Sequence, residues 1–178
     1  HVKAQCYLGL KYEWGYGVEQ DFKQAILWYT KAAEQGDAEA QLFLGNMYCT
    51  GRGVEQDYEQ AVTWYRKSAE QGETTAQEKL GYMYCAGIGV EQDYKQAFVL
   101  WKKLAEQGYY KEQYYLGVMY ESGLGVEQDY KQAILWYTKA AEQGNADAQL
   151  RLGYMYYTGR EVGQDYKQAI LWYTKAAE

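Results

Sequence analysis

The chain has 178 residues, 48% of them hydrophobic and 24% charged, with a formal net charge of −6. Such a composition excludes gross disorder, and the acidic balance argues against nucleic acid and anionic membranes, because phosphate binding needs Lys and Arg in excess. One His, at position 1, and two Ser, Ser68 and Ser122, leave almost nothing for Ser–His or Cys–His catalysis or for His-based metal sites. Pro is absent, where average usage would give roughly nine. No apolar run approaches the roughly 18 residues of a membrane span. The chain opens on His1 without a leader-like stretch and is expected to be an excerpt of a longer protein, so its compartment is not legible.

The elements repeat. Leu-Gly recurs at Leu8-Gly9, Leu44-Gly45, Leu80-Gly81, Leu116-Gly117 and Leu152-Gly153, each step being 36 residues. Tyr12, Tyr48, Tyr84, Tyr120 and Tyr156 follow, then a Gly-x-Gly-Val stretch, Gln-Asp, an Ala and a Trp-Tyr pair. Units of 1–36, 37–72, 73–108, 109–144 and 145–178 account for the whole chain as a single repeat array.

Each unit predicts two helices. In unit 2 the first covers roughly 38–49, with Ala40, Leu44 and Tyr48 on one stripe at helical spacing. Gly51 stands where a left-handed residue would stop the helix, and Gly53 extends the turn. Asp57 fits an N-cap, with Gln60 as capping-box partner, and the same Asp-x-x-Gln recurs at Asp21, Asp93, Asp129 and Asp165. The second helix covers roughly 57–71, with Ala61, Trp64, Tyr65, Ser68 and Ala69 as its apolar face. A mid-helix Gly such as Gly45 costs about 1 kcal/mol relative to Ala. Five copies accept it, which points to a large Trp or Tyr from a partner helix filling that space. No hairpin buries such a face alone, so the units must stack. The fold class is all-α: an α/α superhelical solenoid of five helix-turn-helix repeats. Gly45, Tyr48, Gly51, Asp57, Trp64 and Tyr65 are its structural positions.

Ala-x-x-x-Leu-Gly-x-x-Tyr, Gly-x-Gly-Val-x-x-Asp and Ala-x-x-Trp-Tyr-x-x-Ala-Ala-x-x-Gly together resemble the Sel1-like repeat, a relative of the tetratricopeptide repeat, over essentially all 178 residues. The resemblance implies a concave surface lined by the first helices. Outward positions are then those equivalent to 39, 42, 46, 49 and 50. From these columns Leu42, Asn46, Tyr82, Tyr114, Val118, Leu150, Tyr154 and Tyr157 are the candidate partner-binding residues, since Tyr gives large contact area with few rotatable bonds. Some of the tyrosines could instead pack between units. The second helices repeat almost verbatim, as in Gln132–Tyr137 and Gln168–Tyr173.

Units 3 and 4 depart from the pattern. Leu100-Trp101 fills the Trp-Tyr slot, Leu104 fills a small-residue slot, and Glu112 replaces Ala, with Tyr109-Tyr110 before it. Two readings stay open: compensated repacking, or a local change of curvature that shapes a binding site. In unit 5 Glu161 replaces the second turn Gly and a Gly appears at 163, which predicts a looser turn. Cys6, Cys49 and Cys85 are expected to be free thiols, because helices packed about 8–10 Å apart exceed disulfide reach. Gly-x-Gly-Val lacks a preceding strand and a Walker lysine and is turn chemistry.

No cofactor, metal or catalytic residue is expected. By resemblance the function is a non-enzymatic scaffold or adaptor binding a protein or peptide. A spacer arm in a larger repeat protein is the alternative, and a β-lactam-binding or hydrolysing enzyme is a third reading, which the absence of Ser-x-x-Lys disfavours. The resemblance also points to a bacterial, exported or periplasmic setting. Apolar residues left at both ends, Leu8, Leu10 and Tyr12 in the first unit and Ile170, Trp172 and Tyr173 in the last, predict that at least one end stacks on further residues of a longer protein or on another chain, end-to-end self-association included.

Overall fold

The computed structural model describes residues 1–178 as ten α-helices joined by turns, with no strand. They are α1 (Val2–Trp14), α2 (Phe22–Glu34), α3 (Ala38–Thr50), α4 (Tyr58–Glu70), α5 (Thr74–Ala86), α6 (Tyr94–Glu106), α7 (Tyr110–Ser122), α8 (Tyr130–Glu142), α9 (Ala146–Thr158) and α10 (Tyr166–Ala177). The expected all-α repeat of five helix pairs is what is observed. The chain divides into two compact units, His1–Asp93 and Tyr94–Glu178.

Local chemistry sets each boundary. α3 stops at Gly51, whose φ of 69° places it in the left-handed region, and the Gly51 N–H donates to the Met47 carbonyl 2.9 Å away. Gly53 also has positive φ, and a Cβ there would lie 2.7 Å from the backbone of Phe22 in the preceding helix. The second helices start on an Asp cap: the Asp57 carboxylate accepts from the Gln60 N–H at 3.0 Å, and Asp21, Asp129 and Asp165 repeat this. The reciprocal half of the capping box expected from Gln60 is replaced. The Asp57 N–H donates instead to the Tyr48 carbonyl at 3.0 Å, and the equivalent bond forms in all five repeats. The glycine turn brings Asp back against a carbonyl left free at the end of the first helix. Gln56 adds a second tie, donating to the Cys49 carbonyl at 2.8 Å.

In repeats 1, 2, 4 and 5 the helical glycine meets the tyrosine of the Trp-Tyr pair. A Cβ on Gly45 would lie 2.6 Å from the Tyr65 ring, and Gly9, Gly117 and Gly153 face Tyr29, Tyr137 and Tyr173 in the same way. Tyrosine, rather than either aromatic, therefore takes this place. The tryptophans lie further out, each with a lysine one turn on over its ring: Lys31 on Trp28, Lys67 on Trp64, Lys139 on Trp136 and Lys175 on Trp172, at 4.2–4.4 Å.

In the first unit α2 seats on α3: Ala25, Tyr29, Ala32 and Ala33 form one core with Ala40, Leu44 and Met47. In the second unit α8 seats on α9 through Ala133, Tyr137, Ala140 and Ala141 against Ala148, Leu152 and Met155. A buried glutamine ties each such seat polar-to-polar. The amides of Gln41, Gln77, Gln113 and Gln149 donate to the carbonyls of Ala33, Ala69, Ala105 and Ala141 at 3.0–3.1 Å. The side-chain oxygens of Gln41 and Gln113 accept in turn from Gln71 and Gln143, which follow the second helices, both at 2.8 Å, whereas the buried Gln77 oxygen has no partner. The backbone carbonyls thus keep a partner where no water reaches.

The departures in repeats 3 and 4 are absorbed inside the packing. In the second unit Leu104 and Trp101 are buried, and the Trp101 ring lies 4.7 Å from that of Tyr115. Glu112 is buried, 3% exposed, and engaged with a partner. In repeat 5 Glu161 adopts a positive φ of 56° in the slot of the second glycine. Its Cβ occupies the slot in which Gly53, Gly89 and Gly125 leave no room for one.

Gly45→Ala is expected to lower stability by about 1–2 kcal/mol, since overpacking against Tyr65 outweighs the gain in helix propensity. Gly163→Ala, where a Cβ would meet nothing within 4 Å, is expected to be neutral or slightly stabilising. Urea denaturation followed by far-UV circular dichroism reads both.

Candidate functional site

The residues expected to face outward on the first helices do not all do so. Leu42 is buried at 7% exposure, which corrects its placement on a free surface. Cys6, at the same position of α1, is buried under Asp37 and Glu39 at the start of the next repeat. Asn46 is half-buried and its side-chain oxygen accepts from the Tyr65 hydroxyl at 2.8 Å. Val118 is half-buried against the core of the second unit. Tyr82, in the first unit, is well exposed. Tyr157 is exposed and lies edge-on to Tyr166, with ring centroids 5.6 Å apart.

Three candidates come together in the second unit. Tyr114 of α7 and Leu150 and Tyr154 of α9 line one groove of about 600 Å³ with Tyr173 of α10. Leu150 and Tyr154 are about half exposed, whereas Tyr114 is half-buried, its ring 5.8 Å from that of Tyr137. Glu121, Arg151, Asp147 and Arg160 supply the groove's charges. The arrangement offers aromatic and aliphatic surface beside fixed charges of both signs, which suits a polypeptide more than a small anion.

Under the groove runs a hydrogen-bonded chain. The Tyr137 hydroxyl, on a fully buried ring, donates to Glu121 Oε2 at 2.6 Å. Arg151 Nη1 stands 3.8 Å from the same oxygen. Burial, first, and then the hydrogen bond to Glu121 hold the Tyr137 phenol far above the usual tyrosine range. The phenol therefore stays a neutral donor. The first unit repeats the bond, Tyr29 donating to Glu13 at 2.6 Å. Where the fourth outward column holds Cys49 instead of Glu, Tyr65 turns to Asn46.

Arg151, Tyr173 and Arg160 were not among the expected site residues. Arg151 occupies a column holding Tyr7, Phe43, Lys79 and Tyr115 in the other repeats. That column diverges as much as the five used, and its divergence was the available signal. The glutamate at Glu13 and Glu121, each sixteen residues before a buried tyrosine, was a second one.

Cys6, Asp37 and Glu39 bring one sulfur and two carboxylates within 4.8 Å of one another. Lys3 Nζ already pairs with Asp37 at 3.0 Å and Glu39 at 3.7 Å. Burial, first, and then the Asp37 and Glu39 carboxylates push the Cys6 thiol up to about 12, so it stays protonated beside them. Lys3 offsets one of the two carboxylate charges at this packing point. Cys6, Cys49 and Cys85 are all free thiols, as expected.

The Sel1 repeat family profile matches residues 2–37, 38–73, 74–109, 113–145 and 146–178. A protective antigen of uropathogenic Escherichia coli strains, displaying an SLR fold, is 40% identical with a TM-score of 0.92 over 99% of this chain. This chain spans 38% of the length of that protein. A Sel1 repeat protein from Oxalobacter formigenes is 38% identical with a TM-score of 0.93, over 99% of this chain and 73% of that one. The cysteine-rich protein B of Helicobacter pylori is 25% identical with a TM-score of 0.51, over 62% of this chain and 90% of that one. No curated protein sequence matches the chain.

Glu121→Leu leaves the buried Tyr137 hydroxyl without its acceptor and is expected to cost about 1–3 kcal/mol, whereas Glu121→Gln keeps an acceptor and costs less. Adding Tyr137→Phe to Glu121→Leu should recover part of the loss. Denaturant titration of these three variants and of Tyr137→Phe alone against the parent chain completes the double-mutant cycle that checks this.

Proposed function

The chain belongs to the Sel1 repeat family, and from that premise we propose that it is a non-enzymatic scaffold gripping a protein or peptide on its first-helix surface. Proteins built from this repeat are generally protein-interaction scaffolds and generally non-catalytic. The observation that carries the reading for this chain is the groove of the second unit, where Tyr114, Leu150 and Tyr154 gather beside Arg151 and Glu121. Recognition surfaces of this kind combine aromatic anchors with charges that select the partner. A segment carrying an apolar side chain for the Leu150–Tyr154 surface, with an acidic group within reach of Arg151 or Arg160, matches it best. The recurring columns hold the helices together, and this divergent face is where the chain differs from copy to copy.

Leu150 and Tyr154 are the residues to test, because their exposure (54% and 47%) means that truncation opens no core cavity. Replacing both with Ala is expected to weaken a captured partner at least about tenfold, a loss of roughly 1.4 kcal/mol, while the thermal midpoint is nearly unchanged. Quantitative affinity capture with parent and variant chains, followed by titration of each recovered partner, reads the difference. A spacer arm would lose nothing. Turnover of a reporter β-lactam by the parent chain would overturn the non-enzymatic reading.

A further inference from the structure

The second helices carry an exposed row that the packing does not use. Leu27, Leu135 and Leu171 are 44–45% exposed at the same position of α2, α8 and α10, and Val99 of α6 is 63% exposed there. Leu135 lies on α8, which has a hairpin on either side, and is as exposed as Leu171 on α10. The exposure is therefore a property of the position and not of a chain end. Each of these residues stands between two exposed lysines, one four residues before it and one four residues after. Lys131 and Lys139 flank Leu135, Lys95 and Lys103 flank Val99, and α2 and α10 repeat the arrangement. Residues four apart share one side of a helix, so each set forms a single row.

A lone exposed leucine needs no explanation. The same residue between lysines on four helices does, and comparison of the copies shows that the positions go together. α6 has changed inside its packing, where Trp101 and Leu104 are buried in place of the Tyr137 and Ala140 of α8. It nevertheless keeps both lysines and an aliphatic residue between them. α4 has lost the row while Ala61, Tyr65 and Ala69 stay buried: Thr63 replaces the leucine and Glu59 the first lysine. The apolar residue and its leading lysine are kept together or lost together.

Charge sets this face apart from the rest of the molecule. In a chain of net charge −6, α8 carries Lys131 and Lys139 against a single carboxylate, Glu142. Lys139 is held over the Trp136 ring at 4.2 Å, which fixes one end of the row. At a rise of 1.5 Å per residue the two lysine positions are about 12 Å apart along the helix, with Leu135 midway.

We infer that the rows on α6, α8 and α10 of the second unit are a docking surface for an acidic polypeptide. Its carboxylates pair with the lysines, and an apolar side chain between them covers Leu135 or an equivalent residue. A helix reading Glu-x-x-x-Leu-x-x-x-Glu has the matching charge and spacing. None of the row residues lines the groove of the proposed function, so the two surfaces are separate. A lipid surface is the poorer match, because one aliphatic residue per helix between lysines is a narrow face to bury in a bilayer interface, and the net charge opposes anionic lipid.

Fluorescence anisotropy with the 178-residue chain tests the inference. The probe is a labelled helical peptide in which Glu and Leu alternate at every fourth position. The parent chain is expected to bind it, less tightly as salt rises. A peptide with Ala in place of Leu, or Lys in place of Glu, should bind at least about tenfold more weakly. Two variants, each checked for folding by circular dichroism, should lose affinity by at least about tenfold. One combines Leu27→Ser, Val99→Ser, Leu135→Ser and Leu171→Ser. The other combines Lys95→Glu, Lys131→Glu and Lys167→Glu, the change that α4 already carries. Leu150→Ala with Tyr154→Ala should leave binding of this peptide unchanged, whatever becomes of the partner held in the groove. Absence of binding by the parent chain at millimolar concentration would overturn the inference. So would full binding by the serine variant, equal binding of the Ala-for-Leu peptide, loss of binding in the groove variant, or binding to phosphatidylserine vesicles in preference to the peptide.

Discussion

The approach of a tyrosine ring to a helical glycine is the contact on which the rest of the structure depends. At Gly45 no side chain fits between the helix and Tyr65, and the same is true at Gly9, Gly117 and Gly153. The cost of a glycine in mid-helix is offset by burying a large ring against backbone. That approach fixes the spacing of the two helices and the depth at which the phenol sits. The hydroxyl then reaches Glu13, Asn46 or Glu121 on the partner helix. A packing rule thus determines which outward positions are already occupied by internal hydrogen bonds and which are left for another molecule.

The glutamine series joins neighbouring hairpins as the tyrosines join the two helices of one. The Ala33, Ala69, Ala105 and Ala141 carbonyls each accept one backbone N–H just past the helix end and have room for a second donor. Gln41, Gln77, Gln113 and Gln149 supply donors to those carbonyls from the buried side of the next helix. Each bond contributes modestly when formed but costs more when broken in a dry site. Apolar burial makes the stacking favourable, and the glutamines set its register.

Much of this was legible in the sequence because it repeats. The 36-residue step, the left-handed stop at Gly51 and the Asp57 cap are local signals, and local signals survive without knowledge of neighbours. The destination of the Asp57 N–H was not legible, since it depends on where the glycine turn returns the chain. Leu42 was misplaced for a related reason: a helical wheel describes one helix, and burial of that side chain depends on what packs around it. The groove was half legible. Tyr114, Leu150 and Tyr154 followed from divergent columns, whereas Arg151 came from a column outside the five read as outward. The Cys6, Asp37 and Glu39 cluster joins different repeats and leaves no trace in spacing.

The contrast between verbatim second helices and divergent first helices bears on how the chain finds its own register. α8 and α10 share twelve identical residues, and α2 differs from α8 only at its first position, Phe22 against Tyr130. Segments so alike can trade places while the chain is still collapsing, and repeat arrays are prone to such misassembly. Distinguishing information must then reside in the partners that receive them. Singular features such as Glu112, Trp101 with Tyr115, and the Lys3 ion pairs act as addresses, each making one neighbour a better match than its near-duplicates.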